Sequence, residues 1–360
     1  MRPVALDATL WDEPITGIGL YLRQLHRSLV SRGVSVERWG AQRSGEQPRR
    51  TWSRTGWTVG PLPIRLSTER PRLYHALANF NLPLTRVAGV PFVLTVHDLV
   101  PLLLPHTVSP AFRFQFRAWL ARSVIVADRI ICVSEVARRS LLEHFSFDAQ
   151  KLTVIHHGVD HVSLAPPDRT TTQYLDALGL KAPWLLYAGA LDARKNVQLV
   201  LAALERLRQR GRRVTLVLAG QRWFGSGPIE AEVARLKERG LDIRTLGYLA
   251  DPVFYALMQR ASVFVFPSRY EGFGLPPLEA MRLGVPTIVS TRGSLPEVCG
   301  DGALRVDPDD VEGLTAKLEQ LCDSPNERAA LGQRGQAHAT AFTWAKAAEA
   351  TAAVYDSLDS

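Results

Sequence analysis

The stretch EGFGLPPLE places two carboxylates, Glu271 and Glu279, around two glycines and two prolines. It follows the run ASVFVFPS, which is typical of a buried strand, and a charge beside such a strand is costly unless a partner binds it. Carboxylates accept pairs of hydroxyl hydrogen bonds, so sugar and ribose hydroxyls are ligands that these two would suit. The glycines let a ligand approach the backbone closely. Pro277 fits the first turn of a helix, and Glu279 could instead serve only that helix N-terminus.

The segment LDARKN places two cations, Arg194 and Lys195, directly after the predicted strand LLYAGA. We expect Asn196 to cap the helix that starts at Val197. Free backbone N–H groups and the helix dipole would then add to the two side-chain charges and form an anion site. A diphosphate fits such a site. The alternative is a solvated turn with two incidental cations.

The N-terminal half offers a weaker set of candidate residues. Gly17 and Gly19 precede a predicted helix, where a glycine turn can receive a phosphate or simply allow close packing. His97 and Asp98 end the predicted strand PFVLTVHD, where a ligand cleft should lie. His97 is therefore either a substrate contact or a satisfied structural histidine. Ser134 ends the strand DRIICVS in a similar way and could only cap the next helix.

The elements that must position these residues alternate between strands and helices in both halves. Further strand-like segments are VSVERWG, RLYHAL, KLTVIHHG, RVTLVLAG, LDIRTLG and PTIVST. Several of them are apolar throughout, as expected for parallel strands buried on both faces. A helix is predicted over residues 110–126, and its Phe112, Phe116 and Trp119 follow a helical period that predicts core packing.

This alternation predicts an α/β fold with two facing Rossmann-like, doubly wound domains and an active site in the cleft between them. We place the N-terminal domain at residues 1–168 and the C-terminal domain at residues 173–342. The polar, turn-rich segment HVSLAPPDRTTT, residues 161–172, is interpreted as the linker region. A last helix is predicted over residues 343–358 and could pack on either half.

Length and composition bound the class of protein. The chain has 360 residues, of which 46% are hydrophobic and 22% charged, and this fits globular packing over two domains. Its three cysteines show no CxxC spacing, which disfavours a disulfide framework or a zinc site. We recognise no signal-peptide pattern, and no apolar stretch approaches the roughly 18 residues that a membrane span needs. We therefore expect a cytoplasmic protein.

The net charge of +8 is carried by the N-terminal half. Residues 1–170 hold 21 Lys and Arg against 13 Asp and Glu, whereas the remainder is balanced at 22 and 22. Such a half could attract a membrane surface, an anionic lipid-linked substrate or a nucleic acid. An arginine-rich background without any partner is the alternative.

Together these stretches resemble the family 4 retaining glycosyltransferases of the GT-B fold. The resemblance covers essentially the whole chain, and its segments include TGIGLYLRQL, TVHDLVPLLLP, CVSEVARRSLL, VIHHGVD, YAGALDARKN, FPSRYEGFGLPPLEAM and SLPEVCGDGALRVDP. Its most specific part is the pair of glutamates with seven residues between them, preceded by the Arg-Lys pair. Within the family the chain looks most like mannosyltransferases that build bacterial polysaccharides. His157 departs from the family pattern because it stands where Asn is usual.

The resemblance implies a donor-binding C-terminal domain and an acceptor-binding N-terminal domain. Arg194 and Lys195 would hold the donor diphosphate. Glu271 would bind the sugar hydroxyls, Glu279 would bind the ribose diol, and His97 would contact the transferred sugar. The other residues assigned to the donor are Gly189, Tyr248, Gly272, Phe273, Gly274 and Leu275, with Tyr248 near the base. The residues assigned to the phosphate and acceptor loop are Gly17, Gly19, Asp98 and Ser134.

The implied reaction is hexosyl transfer with retention of anomeric configuration. The favoured donor is GDP-mannose, and the acceptor is a hydroxyl of a glycan or a lipid-linked molecule. Neither glutamate need be a nucleophile, since both would be committed to binding hydroxyls. In a front-face route the leaving diphosphate, steadied by Arg194 and Lys195, would help to deprotonate the incoming hydroxyl. We expect no cofactor and no metal, since two cations already neutralise the diphosphate. A peripheral contact of the basic domain with an anionic membrane is a further expectation, whereas a nucleic-acid partner is not.

Three alternatives differ in class or in donor. The first is a transferase that uses a UDP-hexose or another activated hexose. The second is an epimerase or phosphorylase of similar architecture, although the chain offers no lysine in a setting that suits pyridoxal phosphate. The third is a non-catalytic sugar-binding protein, which would have no need of the pair Arg194 and Lys195.

Overall fold

The structure, a computed structural model, describes residues 2–11, 17–40, 54–79, 81–222 and 226–359. The chain forms two compact units. The first unit comprises Met1–Gly158 and Phe342–Ser360, and the second comprises Val159–Ala341. The division at Gly158 comes before the predicted boundary between residues 168 and 173, and the C-terminal residues return to the first unit. No helix in the described ranges combines the length and apolarity that crossing a membrane requires.

Each unit is built on a sheet of six parallel strands. The strands are β1 Val4–Asp7, β2 Val36–Trp39, β3 Leu73–Ala76, β4 Phe92–Val96, β5 Arg129–Cys132, β6 Leu152–Val154, β7 Trp184–Ala188, β8 Thr215–Ala219, β9 Ile243–Gly247, β10 Val263–Phe266, β11 Thr287–Ser290 and β12 Leu304–Val306. The order in the first unit is β2-β1-β3-β4-β5-β6, and the order in the second is β12-β11-β10-β7-β8-β9. Every strand pairing is parallel, as the predicted α/β fold requires.

Helices connect most successive strands of each sheet, whereas the described residues between β3 and β4 form no helix. The helices are α1 Gly17–Ser31, α2 Arg54–Val59, α3 Pro61–Glu69, α4 Val100–Leu103, α5 Pro110–Val126, α6 Glu135–His144, α7 Arg169–Ala177, α8 Val197–Gln209, α9 Gly227–Glu238, α10 Asp251–Gln259, α11 Leu275–Arg282, α12 Leu295–Cys299, α13 Val311–Asp323, α14 Pro325–Ala339 and α15 Trp344–Asp356. Short 3-10 turns add Pro105–Thr107, Ala149–Lys151, Ala193–Lys195 and Gly300–Gly302.

The predicted final helix is α15, and it belongs to the core of the first unit. Its Trp344 and Tyr355 are buried in one apolar cluster with Leu22 and Leu25 of α1 and Leu6 of β1. The core of the second unit is separate and joins β7, β8 and β10 to α8 and α13. All five residues of β4 and of β7 are buried. Their continuous apolar runs therefore reflect strands covered on both faces.

Three local features differ from the sequence analysis or were not foreseen by it. Phe112 of α5 is 41% exposed, although Phe116, one helical turn later, is buried as predicted. The last residues of the region predicted as a linker belong to α7, which begins at Arg169, and the side chain of its first residue, His161, is buried in the second unit. Strand β12 was not predicted, because it has only three residues and the side chain of Arg305 at its centre is exposed.

Candidate active site

The strand order of the second unit defines a topological switch point. Strand β7 lies between β8 and β10, so the chain leaves β7 in one direction and returns on its other side. In open α/β sheets, ligands bind outside the carboxyl ends of the two strands that flank such a point. The residues that follow β7 and β10 are therefore the place to look for a ligand site.

The cations after β7 lie in a compact turn. Arg194 and Lys195 belong to the 3-10 turn that precedes α8, and the Asp192 carboxylate accepts a hydrogen bond from the Lys195 backbone N–H at 2.8 Å. Asn196 is the N-cap residue of α8, as predicted, but its φ is 56° and its side chain does not bond the helix N-terminus. The side-chain amide donates instead to the carbonyls of Pro267 and Pro308 at 3.2 and 2.8 Å. Asn196 thus ties the cationic turn to the loop that follows β10.

The carboxylate after β10 meets both cations. Arg194 Nη1 lies 2.9 Å and Lys195 Nζ 2.8 Å from Glu271 Oε1. The Ser268 hydroxyl donates to the same oxygen at 2.5 Å. Glu271 Oε2 has no hydrogen-bond partner among the described residues, so this oxygen can still accept a hydrogen bond.

The charges in this cluster determine its protonation. Although burial favours the neutral acid, the charges of Arg194 and Lys195 hold the pKa of Glu271 at about 2. Burial lowers the pKa of the Lys195 ammonium, and the charge of Glu271 acts in the opposite direction. Lys195 Nζ also lies 4.7 Å from the centre of the Phe266 ring. Glu271 is therefore ionised at neutral pH and cannot donate a proton.

Residues that follow β11 support the loop that carries Glu271. The Ser294 hydroxyl donates to the carbonyls of Glu271 and Phe273 at 2.9 and 2.8 Å. Gly293 has a φ of 61°, and a Cβ there would lie 2.8 Å from the Glu271 backbone nitrogen. The close approach of these two backbones requires glycine at this position.

The helix that follows this loop begins as the sequence predicts. Leu275 is its first residue, Gly274 before it has a φ of 98°, and Pro277 lies in its first turn. Gly272 and Phe273 are both buried. The first turn of α11 contains no acidic residue, and no side chain caps it. Because Glu279 lies in the second turn, the alternative in which it only serves the helix N-terminus is not what the structure shows.

Glu279 instead contacts two side chains that sequence reasoning missed. Its Oε1 accepts hydrogen bonds from His161 Nε2 at 3.1 Å and from the Tyr255 hydroxyl at 3.3 Å. The Glu279 and His161 side chains are 6% and 4% exposed. Glu279 Oε2 has no hydrogen-bond partner in the part of the chain that the structure describes. Each glutamate therefore has one carboxylate oxygen hydrogen-bonded within the protein and a second one without a partner among the described residues.

Two more predicted donor residues lie at the carboxyl edge of the same sheet. Gly189 follows β7 with a φ of 140°, and a Cβ there would lie 3.7 Å from the Lys195 side chain. Its lack of a side chain keeps the space beside the cation open. Tyr248 follows β9 and is 44% exposed. It contacts neither glutamate through a hydrogen bond among the described residues.

The remaining predicted site residues lie in the first unit. His97 follows β4 and is buried, and its Nε2 lies 2.8 Å from the Leu77 carbonyl oxygen. A carbonyl can only accept, so Nε2 carries the proton. Burial lowers the pKa of His97, which leaves the ring neutral at neutral pH. The ring packs edge-on against Tyr21 at 5.0 Å and faces His157 at 5.6 Å.

The other candidates of this unit make mostly local contacts. Asp98 accepts a hydrogen bond from the Val100 N–H at 3.1 Å, and its own carbonyl accepts one from the Asn79 amide at 2.8 Å. Ser134 is the N-cap of α6 and accepts from the Ala137 N–H at 3.0 Å, as its capping interpretation predicts. Gly17, the first residue of α1, is exposed, and Gly19 is buried. Thr16 of the motif TGIGLY lies outside the described residues.

The first unit has a switch point of its own, where β1 lies between β2 and β3. Asp7 at the end of β1 is buried, and its carboxylate accepts hydrogen bonds from the Thr9 N–H and from the Asn81 side chain. Sequence reasoning missed Asp7, although a carboxylate at the end of the apolar strand VALD is the kind of signal that singled out His97.

The arrangement in the second unit can bind a phosphorylated sugar. The two cations offer positive charge for a diphosphate. The uncommitted carboxylate oxygens can each accept hydrogen bonds from hydroxyl groups. No three His, Cys, Asp or Glu side chains gather as a metal site within the described ranges.

Two protein-family models match the chain. The model described as Glycosyltransferase Family 4 matches residues 15–162, and that described as Glycosyl transferases group 1 matches residues 176–338. The chain is 33% identical over 292 residues to O-antigen chain mannosyltransferase B of Escherichia coli, covering 79% of this chain and 74% of that protein. It is 30% identical to MMP alpha-(1->4)-mannosyltransferase of Mycolicibacterium hassiacum, with 94% of each chain covered.

Two solved structures with a similar fold match nearly the full length of this chain. Sucrose-phosphate synthase from Thermosynechococcus elongatus superposes with a TM-score of 0.77 at 21% identity and covers 99% of both chains. Anabaena HepE in complex with UDP and glucose superposes with a TM-score of 0.76 at 18% identity, over 99% of this chain and 100% of that one. At these identities the likeness concerns the fold.

Proposed function

The chain belongs to glycosyltransferase family 4, with the GT-B fold, and we propose that it transfers mannose from GDP-mannose to a hydroxyl of a glycan or lipid-linked acceptor. Its glycosyltransferase class follows from the family. The choice of mannose is supported by the names of its relatives, which include an O-antigen chain mannosyltransferase. By the same analogy, the product belongs to polysaccharide or glycoconjugate biosynthesis.

In this proposal the donor lies across the switch point of the second unit. Arg194 and Lys195 hold its diphosphate, and Glu271 Oε2 accepts hydrogen bonds from the hydroxyls of the transferred sugar. Glu279 Oε2 accepts from the ribose diol. The observation that carries the proposal is the convergence of two cations on one oxygen of Glu271, which leaves the other oxygen available.

The proposed chemistry retains the anomeric configuration. The bond between the anomeric carbon and the diphosphate oxygen breaks while the acceptor oxygen bonds to that carbon on the same face. The acceptor proton passes to the leaving diphosphate. Arg194 and Lys195 stabilise the charge that develops on this group, which is commonly the largest catalytic contribution. Since Glu271 is ionised and bound to both cations, it stabilises positive charge on the sugar and supplies no proton.

We further propose that no metal ion or cofactor takes part, because the two cations supply the charge that a divalent ion would otherwise provide. The acceptor site is assigned to the first unit, where His97 and Asp98 follow β4. His97 would contact the transferred sugar there, with its neutral ring held by the Leu77 carbonyl.

A thermal-shift screen tests the donor class. We expect one of GDP, UDP, dTDP and ADP, with GDP favoured, to raise the melting temperature by about 3 °C or more at a hundredfold excess over its Kd. Lys195→Ala should abolish most of this shift because it removes a diphosphate contact. Lys181→Ala, which changes an exposed lysine of the same unit, should preserve it.

The screen also separates the alternatives. A larger rise in melting temperature with UDP than with GDP would favour the alternative, a UDP-hexose transferase. A full shift in Lys195→Ala would remove the diphosphate assignment, and no shift with any nucleotide would contradict the nucleotide-sugar reaction altogether.

A further inference from the structure

Three side chains form a closed triangle beside α11. His161 Nε2 lies 3.1 Å from Glu279 Oε1 and 3.2 Å from the Tyr255 hydroxyl, and that hydroxyl lies 3.3 Å from the same Glu279 oxygen. The His161 ring packs against the Tyr255 ring at 6.0 Å and 69°. The three residues come from the segment after Val159, from α10 and from α11, so the triangle joins three separate parts of the second unit.

The chemistry of the groups fixes the direction of these hydrogen bonds. An ionised carboxylate only accepts, so His161 must carry a proton on Nε2, and the Tyr255 hydroxyl donates to Glu279. Burial, followed by the charge of Glu279, raises the pKa of Tyr255 above its ordinary range. Tyr255 therefore remains protonated, and remains a donor, at every pH at which the protein would be assayed.

Two donors on one oxygen restrict the carboxylate. The terminal torsion of a glutamate is broad, so a carboxylate without contacts samples many orientations. With Oε1 bound to His161 and Tyr255, the position of Oε2 follows from the geometry of the group. A carboxylate held in one orientation binds a ligand without the entropy cost of ordering it first.

We propose that His161 and Tyr255 are positioning residues that hold Glu279 with Oε2 directed at the ribose diol, and that they thereby set the preference of this chain for nucleotides with a complete ribose. This inference rests on the proposed function, in which Glu279 binds the ribose. Neither residue touches the donor in this proposal. Their effect is transmitted through the Glu279 carboxylate alone, so it depends on the ribose hydroxyls.

The test compares the Kd of GDP with that of 2′,3′-dideoxy-GDP by calorimetry, with UDP and 2′,3′-dideoxy-UDP in parallel. We define the ribose ratio as the Kd of the dideoxynucleotide divided by the Kd of the ribonucleotide, for whichever base binds. For the wild type we expect this ratio to be about ten or more, as for a hydrogen bond to a charged group. Tyr255→Phe and His161→Leu should each lower this ratio at least about threefold by weakening the ribonucleotide only. His161→Gln, whose amide nitrogen can replace Nε2, should restore a ratio within about twofold of the wild type.

Two controls separate positioning from a general structural effect. Tyr174→Phe removes the hydroxyl of an exposed tyrosine on α7 and should leave the ratio unchanged. Glu279→Ala should bring the ratio close to one. If Tyr255→Phe and His161→Leu weaken both nucleotides equally, or leave the ratio as in the wild type, the positioning role of these two residues is overturned, whereas the ribose-binding role of Glu279 is not.

The outcomes for the two levels of the proposal differ. If Glu279→Ala keeps the wild-type ratio, the ribose assignment in the proposed function fails, and the inference fails with it. If Glu279→Ala abolishes the ratio while Tyr255→Phe and His161→Leu keep it, only the inference fails. If the wild type binds neither GDP nor UDP, both are overturned.

Discussion

At the level of single residues, Glu271 and Glu279 are both buried carboxylates, but different donors of the protein compensate their burial. Each carboxylate is buried, and each has one oxygen bound by two or more donors of the protein. Glu271 is bound by two full charges, whereas Glu279 is bound by a hydroxyl and a ring nitrogen. The two cations beside Glu271 suit a carboxylate that must stay ionised beside a developing positive charge. The neutral donors beside Glu279 suit a carboxylate that only binds hydroxyls.

The low pKa of Glu271 predicts a pH dependence of stability. Its pKa is about 2 in the folded protein against an ordinary value of 4.5, so its ionised form contributes on the order of 3 kcal/mol above about pH 4.5. This contribution is lost as the pH falls from about 4.5 to about 2. Urea unfolding of wild type and Glu271→Gln should therefore show a difference in free energy of unfolding that is constant from pH 7 to pH 5 and shrinks below. A difference that stays constant down to pH 3 would contradict the assignment.

At the scale of elements, the site depends on loops that fix one another. Asn196 binds the loop after β10 through Pro267, and Ser294 binds the same loop through Glu271 and Phe273. Ser290 at the end of β11 donates to the Ser268 carbonyl at 2.5 Å. The segments after β7, β10 and β11 thus form one hydrogen-bonded support under the cations and the carboxylate.

Gly293→Ala should damage this support selectively. The substitution places a Cβ against the Glu271 backbone and adds a residue that disfavours the φ of 61°. We expect the free energy of unfolding to fall by about 2 kcal/mol or more and nucleotide binding to weaken in the folded fraction. Gly227→Ala on α9 is the matched control, because a Cβ there meets nothing within 4 Å and the φ of Gly227 is not positive. Equal behaviour of the two variants in denaturation and calorimetry would refute the role of Gly293.

The strands and the cationic turn could be predicted from sequence, whereas the contacts across the fold could not. Continuous apolar runs identify β4 and β7 because both strands are buried throughout. The meeting of Arg194 with Glu271 follows once their strands flank one switch point. His161 lies 118 positions from Glu279 along the chain, so no local pattern reveals their contact. For Asn196 a local rule predicted too much: its side chain bonds two carbonyls that are distant in sequence and not the N–H groups of the helix that it precedes.

At the scale of the whole molecule, the charge is divided unequally along the chain. The excess of positive charge lies within residues 1–170, whereas the remainder is balanced. In the first unit, Phe114 of α5 is 76% exposed. Together with Arg113 and Arg117 it lines a shallow groove. An exposed aromatic residue between cations suits an anionic membrane surface. Peripheral contact of the first unit with an anionic membrane therefore stays a prediction.

Vesicle co-sedimentation tests this contact. We expect the protein to bind vesicles of an anionic phospholipid in preference to neutral ones, with an affinity that falls as salt rises. Replacement of both Arg113 and Arg117 by Glu should weaken binding about tenfold or more, at roughly 1 kcal/mol or more for each charge. Replacement of the exposed Arg208 and Arg213 of the second unit by Glu makes the same change in net charge and should have little effect. Equal loss in both double variants, or no binding at low salt, would remove the membrane contact.

Arg194, Lys195 and Glu271 form the proposed site of hexosyl transfer. This assignment is tested most directly by the release of GDP from GDP-mannose in excess EDTA, with water in place of the acceptor hydroxyl. We predict measurable turnover by the wild type and by Glu238→Ala, which changes an exposed glutamate of α9. Glu271→Ala and Lys195→Ala should each reduce the rate about a hundredfold or more while the fold is preserved. Turnover at the wild-type rate in either variant, or turnover that requires added magnesium, would contradict the account.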